Sequence, residues 1–390
     1  MTNHYPIAIL GAGLGGLTAA RVLHVHGIEA SVFDLEVDRH ARVQGGMLDI
    51  HEHNGQLAVR SAQLWEEFTR IIHPGGEAMR ILDHTGAVLY EDFDEGQLSR
   101  PEVERGQLRD LLIDSLPEGT VRWGHKAIDI RPVDDRPGRH AIEFANGEKI
   151  TTDLLIGADG AWSKVRPLLT DAWPAYTGIS FVEADLFNAD AAHPVEADVM
   201  GQGMLFAFQG NTGVLGHKES DGSLHVYLGF RVPETWVDTI DWDDDAAAKH
   251  DVLALLDGWG QGLRGLVANA DTALTPRRIN ALPVGIRWDR VPGVTLLGDA
   301  AHVMSPFAGE GANLAMYDGA QLALALAGNV GDTEVALSSY EAELFPRSEE
   351  SARDSAESLE MMFRPDSPAG LVEMFEQIQE QIASGSAEQR

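Results

Sequence analysis

The chain has 390 residues, 44% hydrophobic and 23% charged, an ordinary globular composition with room for two or three domains. Lys and Arg number 29 against 61 Asp and Glu, so the formal net charge of −32 repels phosphate backbones and anionic lipid and argues against nucleic acid or a membrane as partner. The absence of cysteine excludes disulfides, thiolate metal sites, iron–sulfur clusters and a cysteine nucleophile.

No apolar run approaches the ~20 residues of a membrane helix, and the first residues lack the basic start and apolar stretch of a signal peptide, so a cytoplasmic protein is expected. Ile7-Ala8-Ile9-Leu10 is a short apolar run ending in glycines and reads as a buried strand. Leu14, Leu17, Ala20 and Leu23 follow at helical spacing, and Gly27 closes that helix. Ala30-Ser31-Val32-Phe33 is a second strand ending at Asp34, which completes a βαβ unit and predicts a parallel sheet. A helix is predicted from Glu104 to Leu116, then strands at Ala141–Phe144 and Asp153–Ile156 joined by an Asn146-Gly147 turn. From Tyr176 to Arg231 the texture changes to short alternating strands, a separate and largely antiparallel sheet. Helical spacing returns at Val252, Leu255, Leu256 and Trp259. A strand at Val294–Leu297 leads into Gly298-Asp299, and an Ala/Leu-rich helix follows over Ala312–Ala327. The segment from Val335 to Ile382 reads as helix broken near Pro365-Asp366-Ser367-Pro368, with a frayed tail.

Gly11-Ala12-Gly13-Leu14-Gly15-Gly16 satisfies G-x-G-x-x-G between a strand and a helix. Gly11 permits the tight turn, Gly13 lets a pyrophosphate approach the backbone, and Gly16 lets helix pack on strand. The helix N-terminus offers free N–H groups to the phosphates, and Asp34 sits where a carboxylate accepts bonds from an adenosine ribose. Gly260-Gln261-Gly262-Leu263-Arg264-Gly265 matches the same pattern, but no strand feeds it, and it reads as a loop or frayed helix. His24 and His26 face apart on a helix, and His51-Glu52-His53 lacks the spacing of a metal-binding helix, so no metal is expected. Asp241-Trp242-Asp243-Asp244-Asp245 reads as a solvated acidic turn or helix cap.

Two further segments are strands ending in acid–glycine turns. One is Asp153-Leu154-Leu155-Ile156-Gly157-Ala158-Asp159-Gly160 with Ser163 and Arg166. The other is Gly298-Asp299-Ala300-Ala301-His302, continuing through Ser305-Pro306-Phe307-Ala308-Gly309-Glu310-Gly311-Ala312-Asn313. With the glycine loop, these resemble the flavin-dependent aromatic hydroxylases of the para-hydroxybenzoate hydroxylase type. Arg39 to His51, Arg105 with Leu108 and Arg109, and Met362 to Asp366 are similar to the tetracycline-inactivating flavin monooxygenases over nearly the whole chain. The resemblance implies an α/β fold: a doubly wound FAD-binding domain, an inserted mixed-sheet substrate domain and a long C-terminal helix. The expected boundaries are 1–75, 100–175 and 286–330 for the FAD domain, 76–99 and 176–285 for the substrate domain, and 335–383 for a helix bridging them.

By the same resemblance, FAD binds non-covalently, with Asp49, Arg105, Asp159, Asp299, Gly309 and Gly311 joining Gly11, Gly13, Gly16 and Asp34 at the cofactor. Arg42 contacts NADPH. Before the resemblance is counted, a surface salt bridge in an acid-rich protein is the alternative role for Arg42 and Arg105. Glu183 stands where the tetracycline enzymes carry glutamine, His225 keeps their drug-contacting histidine, and Gly203 stands where they carry arginine. Leu35 follows Asp34 where the family has arginine. Pro306, Phe307 and Gly309 are candidates for a wall between flavin and substrate, with core packing as the plainer role for Phe307. His302 reads as structural rather than catalytic. The implied activity is an NADPH-consuming monooxygenase: oxygen adds at flavin C4a, and the hydroperoxide transfers OH to an electron-rich polycyclic or phenolic substrate, tetracyclines included. The flavin carries the chemistry, so no catalytic side chain is required. A monomer is expected. A hydroxylase of a simple phenol, aromatic acid or polyketide, and a flavin-binding sensor without turnover, are the alternatives.

Overall fold

The strand that feeds the glycine turn, β1 (Asn3–Leu10), lies in the middle of the first of two large sheets in this computed structural model, which describes residues 2–41, 45–93, 96, 98–134 and 136–377. The sheet runs β7 (Val121–Arg122), β2 (Ser31–Phe33), β1, β10 (Lys149–Gly157), β9 (His140–Phe144), β8 (Ala127–Pro132), with β16 (Val294–Leu296) also paired to β10. The pairs β7–β2, β2–β1, β1–β10 and β10–β16 are parallel, while β9 and β8 are antiparallel additions. Continuous apolar runs suit a sheet covered on both faces, and Ala8, Ile9, Leu10, Val32, Leu155, Ile156, Val294 and Leu296 are all buried.

The sheet belongs to a unit made of Met1–Ile72, Ser99–Ala175 and Asn280–Ala356. Its helices are α1 (Leu14–Val25), α2 (Gly55–Ser61), α3 (Trp65–Phe68), α4 (Arg105–Asp114), α9 (Asp299–His302), α10 (Gly311–Gly328) and most of α11 (Thr333–Met362). A small antiparallel pair joins β3 (Met47–Asp49) to β6 (Glu102–Glu104). Helices α1 and α10 pack through small residues: a Cβ on Gly15 would stand 2.7 Å from the Ala315 carbonyl oxygen.

The second unit comprises His73–Leu98, Tyr176–Ile279 and Glu357–Arg390. Its mixed sheet runs β15 (Thr275–Ala281), β11 (Ala175–Leu186), β14 (Leu224–Arg231), β13 (Thr212–Lys218), β12 (Met204–Gln209), β4 (Met79–Leu82), β5 (Val88–Asp92), and β12 pairs with β4 in parallel. One face buries Val182, Ala184, Val226 and Leu228 with Met200, Val252, Leu263 and Leu266, which come from α6 (Pro194–Met200), the stretch led by the short α5 (Ala189–Ala192), and from α7 (Asp245–Ala254) and α8 (Gln261–Ala268). On the other face Phe181 meets Tyr227, Phe206 stacks on Phe208, and Phe363 and Phe375 pack against Phe208 and Phe206.

The Gly260–Gly265 segment is a well-formed helix rather than a loop. Its glycines allow close helix contact: Cβ atoms on Gly262 and Gly265 would meet Val199 at 2.5 Å and Glu196 at 2.2 Å. Asp244 of the acidic run caps α7 through the Ala247 amide. Helix α11 spans 30 residues and stops at Met362, turns follow over residues 363–368, and helix resumes at 369–377. The tail beyond 377 lies outside the described residues, as does Arg42.

Candidate cofactor and substrate sites

The glycine turn is held by side chains far from it in sequence. Gly11 has φ +109°, and its amide donates to the Phe33 carbonyl at 2.8 Å. A Cβ there would lie 2.2 Å from the Ala158 carbonyl oxygen, so only glycine fits. Gly16 abuts the Gly11 carbonyl, whereas a Cβ on Gly13 would meet nothing within 4 Å. Gly13 therefore opens onto free space at the N-cap of α1, where no side chain caps the helix. Asp34 is buried, and its oxygens accept the Ala12 amide at 2.6 Å and the Glu36 amide at 2.9 Å. The residue expected to reach a ribose thus also braces the turn, with lone pairs left over. Buried Arg109 completes the brace, donating to the Ala12 carbonyl at 3.0 Å and the Arg39 carbonyl at 2.9 Å.

The two acid–glycine turns are tied to each other. Asp159 accepts Ser163 Oγ at 2.5 Å and the Lys164 amide at 2.7 Å, folding its own loop, and burial pushes its pKa up. Fully buried Arg166 donates to the carbonyls of Ala161 and Ala300 at 2.7 and 3.1 Å, bridging the loop after Asp159 to the residue after Asp299. Asp299 has an exposed side chain in a protein-dense recess; desolvation there raises its pKa, and His302 and Arg105 oppose the rise. An accessible carboxylate ringed by protein is what a ligand recess presents.

The third element is the start of α10. Asn313 Oδ1 accepts the His51 amide at 2.9 Å, and its Nδ2 donates to the Asp49 carbonyl at 2.8 Å, so one side chain fastens residues 49–51 to the first turn of the helix. The His51 ring lies between Asp49 (2.7 Å) and Glu310 (3.1 Å). Burial would lower its pKa, but the two carboxylates raise it to about 9, so both ring nitrogens donate. Asn54 Nδ2 donates to the other Glu310 oxygen at 2.6 Å. Donor atoms of His51, His53 and Glu310 converge within 4.8 Å, a grouping that chain spacing hides because Glu310 arrives from 259 residues beyond His51. Hydrogen bonds and ion pairs account for its contacts. No side chain caps α10, and nothing lies within 4 Å of a Cβ on Gly311. Of the candidate wall residues, Pro306 and Gly309 are exposed and Phe307 is buried.

In the second unit Glu183, Asp185, His225 and Tyr227 share the aromatic face, since Glu183 pairs with Tyr227 and Asp185 with His225 across the strands. His225 Nδ1 donates to Asp185 Oδ1 at 2.5 Å; burial lowers the His225 pKa, but Asp185, Glu219 and Glu183 raise it overall. Glu183 accepts from Arg277 Nε at 3.2 Å, so its charge is compensated. Gly203 has no room for a side chain in this backbone: a Cβ would stand 2.1 Å from the Ala78 carbonyl oxygen.

Sequence reasoning missed the bracing roles of Arg109 and Asn313. The signal was an arginine on the predicted helix at 104–116 and an asparagine one residue into the Ala/Leu-rich helix, neither informative without its partner.

Residues 130–355 match the family model of the FAD binding domain. The monooxygenase asqM of Emericella nidulans is 28% identical over 82% of this chain and 83% of its own length. The structure of Klebsiella pneumoniae HpxO, solved with FAD and uric acid, superposes with a TM-score of 0.79 at 22% identity, covering 97% of this chain and 95% of that one. The tetracycline destructase Tet(51) gives a TM-score of 0.70 at 19% identity over 98% of this chain and 97% of its own. With glycine loop, paired acid–glycine turns and helix start assembled in one unit, and a family match across more than half of its length, this chain belongs to the FAD binding domain family, among the flavin-dependent monooxygenases.

Proposed function

We propose that the protein is an FAD-dependent, NADPH-consuming monooxygenase that hydroxylates electron-rich phenolic or polycyclic substrates, tetracyclines among them. The observation that carries the reading is the open cradle in the first unit. Gly13 faces free space at an uncapped helix start, braced by Asp34 and Arg109, while Arg166 ties the Asp159 loop to Ala300 and Asn313 ties residues 49–51 to the start of α10.

FAD held there would supply the redox chemistry, two-electron uptake from NADPH and activation of O2. This chain's residues do the rest. Gly11, Gly13 and Gly16 with the α1 amides receive the pyrophosphate, and Asp34 accepts from the adenosine ribose. Asp299 accepts from the ribityl chain, with Asp49, Arg105 and Asp159 at the same cofactor. Gly309 and Gly311 present the α10 start, whose partial positive charge favours an anion by about 0.3–1 kcal/mol, more when partly buried. Glu183 and His225 orient the substrate, and Pro306, Phe307 and Gly309 exclude water from the reacting edge. Arg42 offers NADPH a bidentate guanidinium.

The relatives support this reading. One neighbour holds FAD with uric acid, and another is a tetracycline destructase. The deciding experiment follows NADPH oxidation by FAD-loaded protein over a panel of tetracyclines and phenols, with mass spectrometry for a one-oxygen gain. Substrate-stimulated oxidation with that gain is expected, as is a raised NADPH KM with FAD retained in Arg42→Ala. A protein that stays colourless after incubation with FAD overturns the flavin reading. One that holds FAD but never oxidises NADPH is a binder.

A further inference from the structure

We infer that Asp318, which has no part in the reading above, is the positioning residue that holds the Gly298–Asp299 turn in its ligand-binding form. The inference rests on the proposed contact of Asp299 with FAD.

Asp318 sits on α10 with a side chain wholly removed from solvent. Its Oδ2 accepts the Gly298 amide at 3.0 Å and the His302 Nε2 proton at 2.5 Å, and its Oδ1 accepts Arg347 Nη2 at 2.9 Å. One carboxylate thus gathers the turn before Asp299, the last residue of α9, and an arginine of α11. A buried carboxylate is costly unless it is paired and hydrogen-bonded, and these three donors, one of them an arginine, meet that need. They also hold its pKa below the usual carboxylate range against the opposing effect of burial.

The grip falls where the backbone needs it. Gly298 has φ +58° and lies against Ala315, where a Cβ would stand 2.8 Å from the Ala315 Cβ. The residue after this turn is Asp299, so the direction of its carboxylate depends on a backbone that Asp318 holds by its amide. The same carboxylate orients His302, one of the two groups that oppose the rise in the Asp299 pKa; Arg105 of α4 is the other. Around Asp318 the charged and titratable neighbours are His302, Arg347 and Tyr340, whose hydroxyl donates to the Leu296 carbonyl at 3.0 Å. A packing element could use any apolar residue of this size. A carboxylate shared by the Asp299 turn and the His302 ring ties the alignment and the charge of Asp299 to a single group.

The test compares Asp318→Asn, His302→Gln and Arg347→Lys with Asp299→Ala in the full chain. FAD affinity is titrated by flavin fluorescence from about pH 6 to about pH 8.5, alongside the visible spectrum of bound flavin and the Tm of FAD-free protein. Asp318→Asn should raise the FAD Kd by about tenfold or more, the size of a lost charged hydrogen bond, and the pH profile of binding should depart from that of wild type. Arg347→Lys, which keeps a cation on Asp318, should retain most of the affinity, and His302→Gln should reproduce the pH dependence. The inference fails if Asp318→Asn binds FAD with wild-type affinity and pH profile, or if losses of affinity merely follow losses of Tm across the set. Should Asp318→Asn not fold, wild-type affinity and a wild-type pH profile in His302→Gln defeat it. Wild-type affinity in Asp299→Ala would instead remove the reading of Asp299 itself.

Discussion

Gly15 and Gly319 lie back to back where α1 crosses α10, and a Cβ on Gly319 would stand 2.3 Å from the Gly15 carbonyl oxygen. The helix carrying the phosphate-type loop and the helix starting near Asp49 are therefore locked at one separation. Gly319→Ala should cost roughly 1–3 kcal/mol through overpacking, read by chemical denaturation. Gly328→Ala, near the end of the same helix with nothing within 4 Å of its Cβ, is the control and should be neutral or slightly stabilising. Equal effects at both positions would show that the contact does not set the helix spacing.

Gly13→Val should leave the fold intact, because a Cβ there meets nothing within 4 Å, yet yield largely FAD-free protein. Circular dichroism and the ratio of flavin to protein absorbance check the two halves separately. A variant that folds and stays fully yellow removes the pyrophosphate from Gly13.

A lone carboxylate at Glu183, where the tetracycline enzymes carry an amide, would repel an enolate oxygen. Its pairing with Arg277 alters that expectation, because the charge is partly neutralised and Arg277 is committed to it. Glu183→Gln should free Arg277 for an anionic oxygen and raise kcat/KM for tetracycline by up to about tenfold, since exposed pairs are worth about 1 kcal/mol or less. A simple phenol should change little. If tetracycline neither binds nor turns over in either form, the drug assignment falls and the broader monooxygenase proposal stands.

His51 should give stability a distinct dependence on pH. Its folded pKa of about 9 lies above its ordinary 6.5, so its contribution is complete below about pH 6.5 and disappears as pH rises through about 9. The size is on the order of 3 kcal/mol at most, shared with Asp49 and Glu310. Denaturation of wild type and His51→Gln across that window should converge at the alkaline end. A constant difference between them at all pH values would show that the ring is not an imidazolium there.

What could be foreseen from the chain depended on how local the cause was. The opening strand, its helix and α10 follow from apolar spacing and glycines within a few residues of each other, and they stand where periodicity puts them. Gly260–Gly265 misled because the reason for its glycines, close approach to Val199 and Glu196, lies on another helix. The braces are all long-range: Arg109 reaches Ala12 across 97 residues, and the His51 amide reaches Asn313 across 262. The Glu183–Arg277 pair is equally invisible in the chain, because its partners lie 94 residues apart.

The parallel pairing of β1 with β10 and of β10 with β16 also governs how the chain must be made. At roughly 5–20 residues per second of synthesis, about 15–60 s separate the emergence of Leu10 from that of Leu296. Both neighbours of β1 have emerged by Gly157, but the edge of β10 at Leu155–Gly157 waits for β16, while the second unit, much of whose chain lies between β10 and β16 in sequence, can already begin to fold. Nascent chains thus carry an open apolar edge on the parallel sheet until Leu296 emerges. The yield of native protein from a heterologous host should accordingly follow translation speed and chaperone supply more closely than the stability of the finished fold.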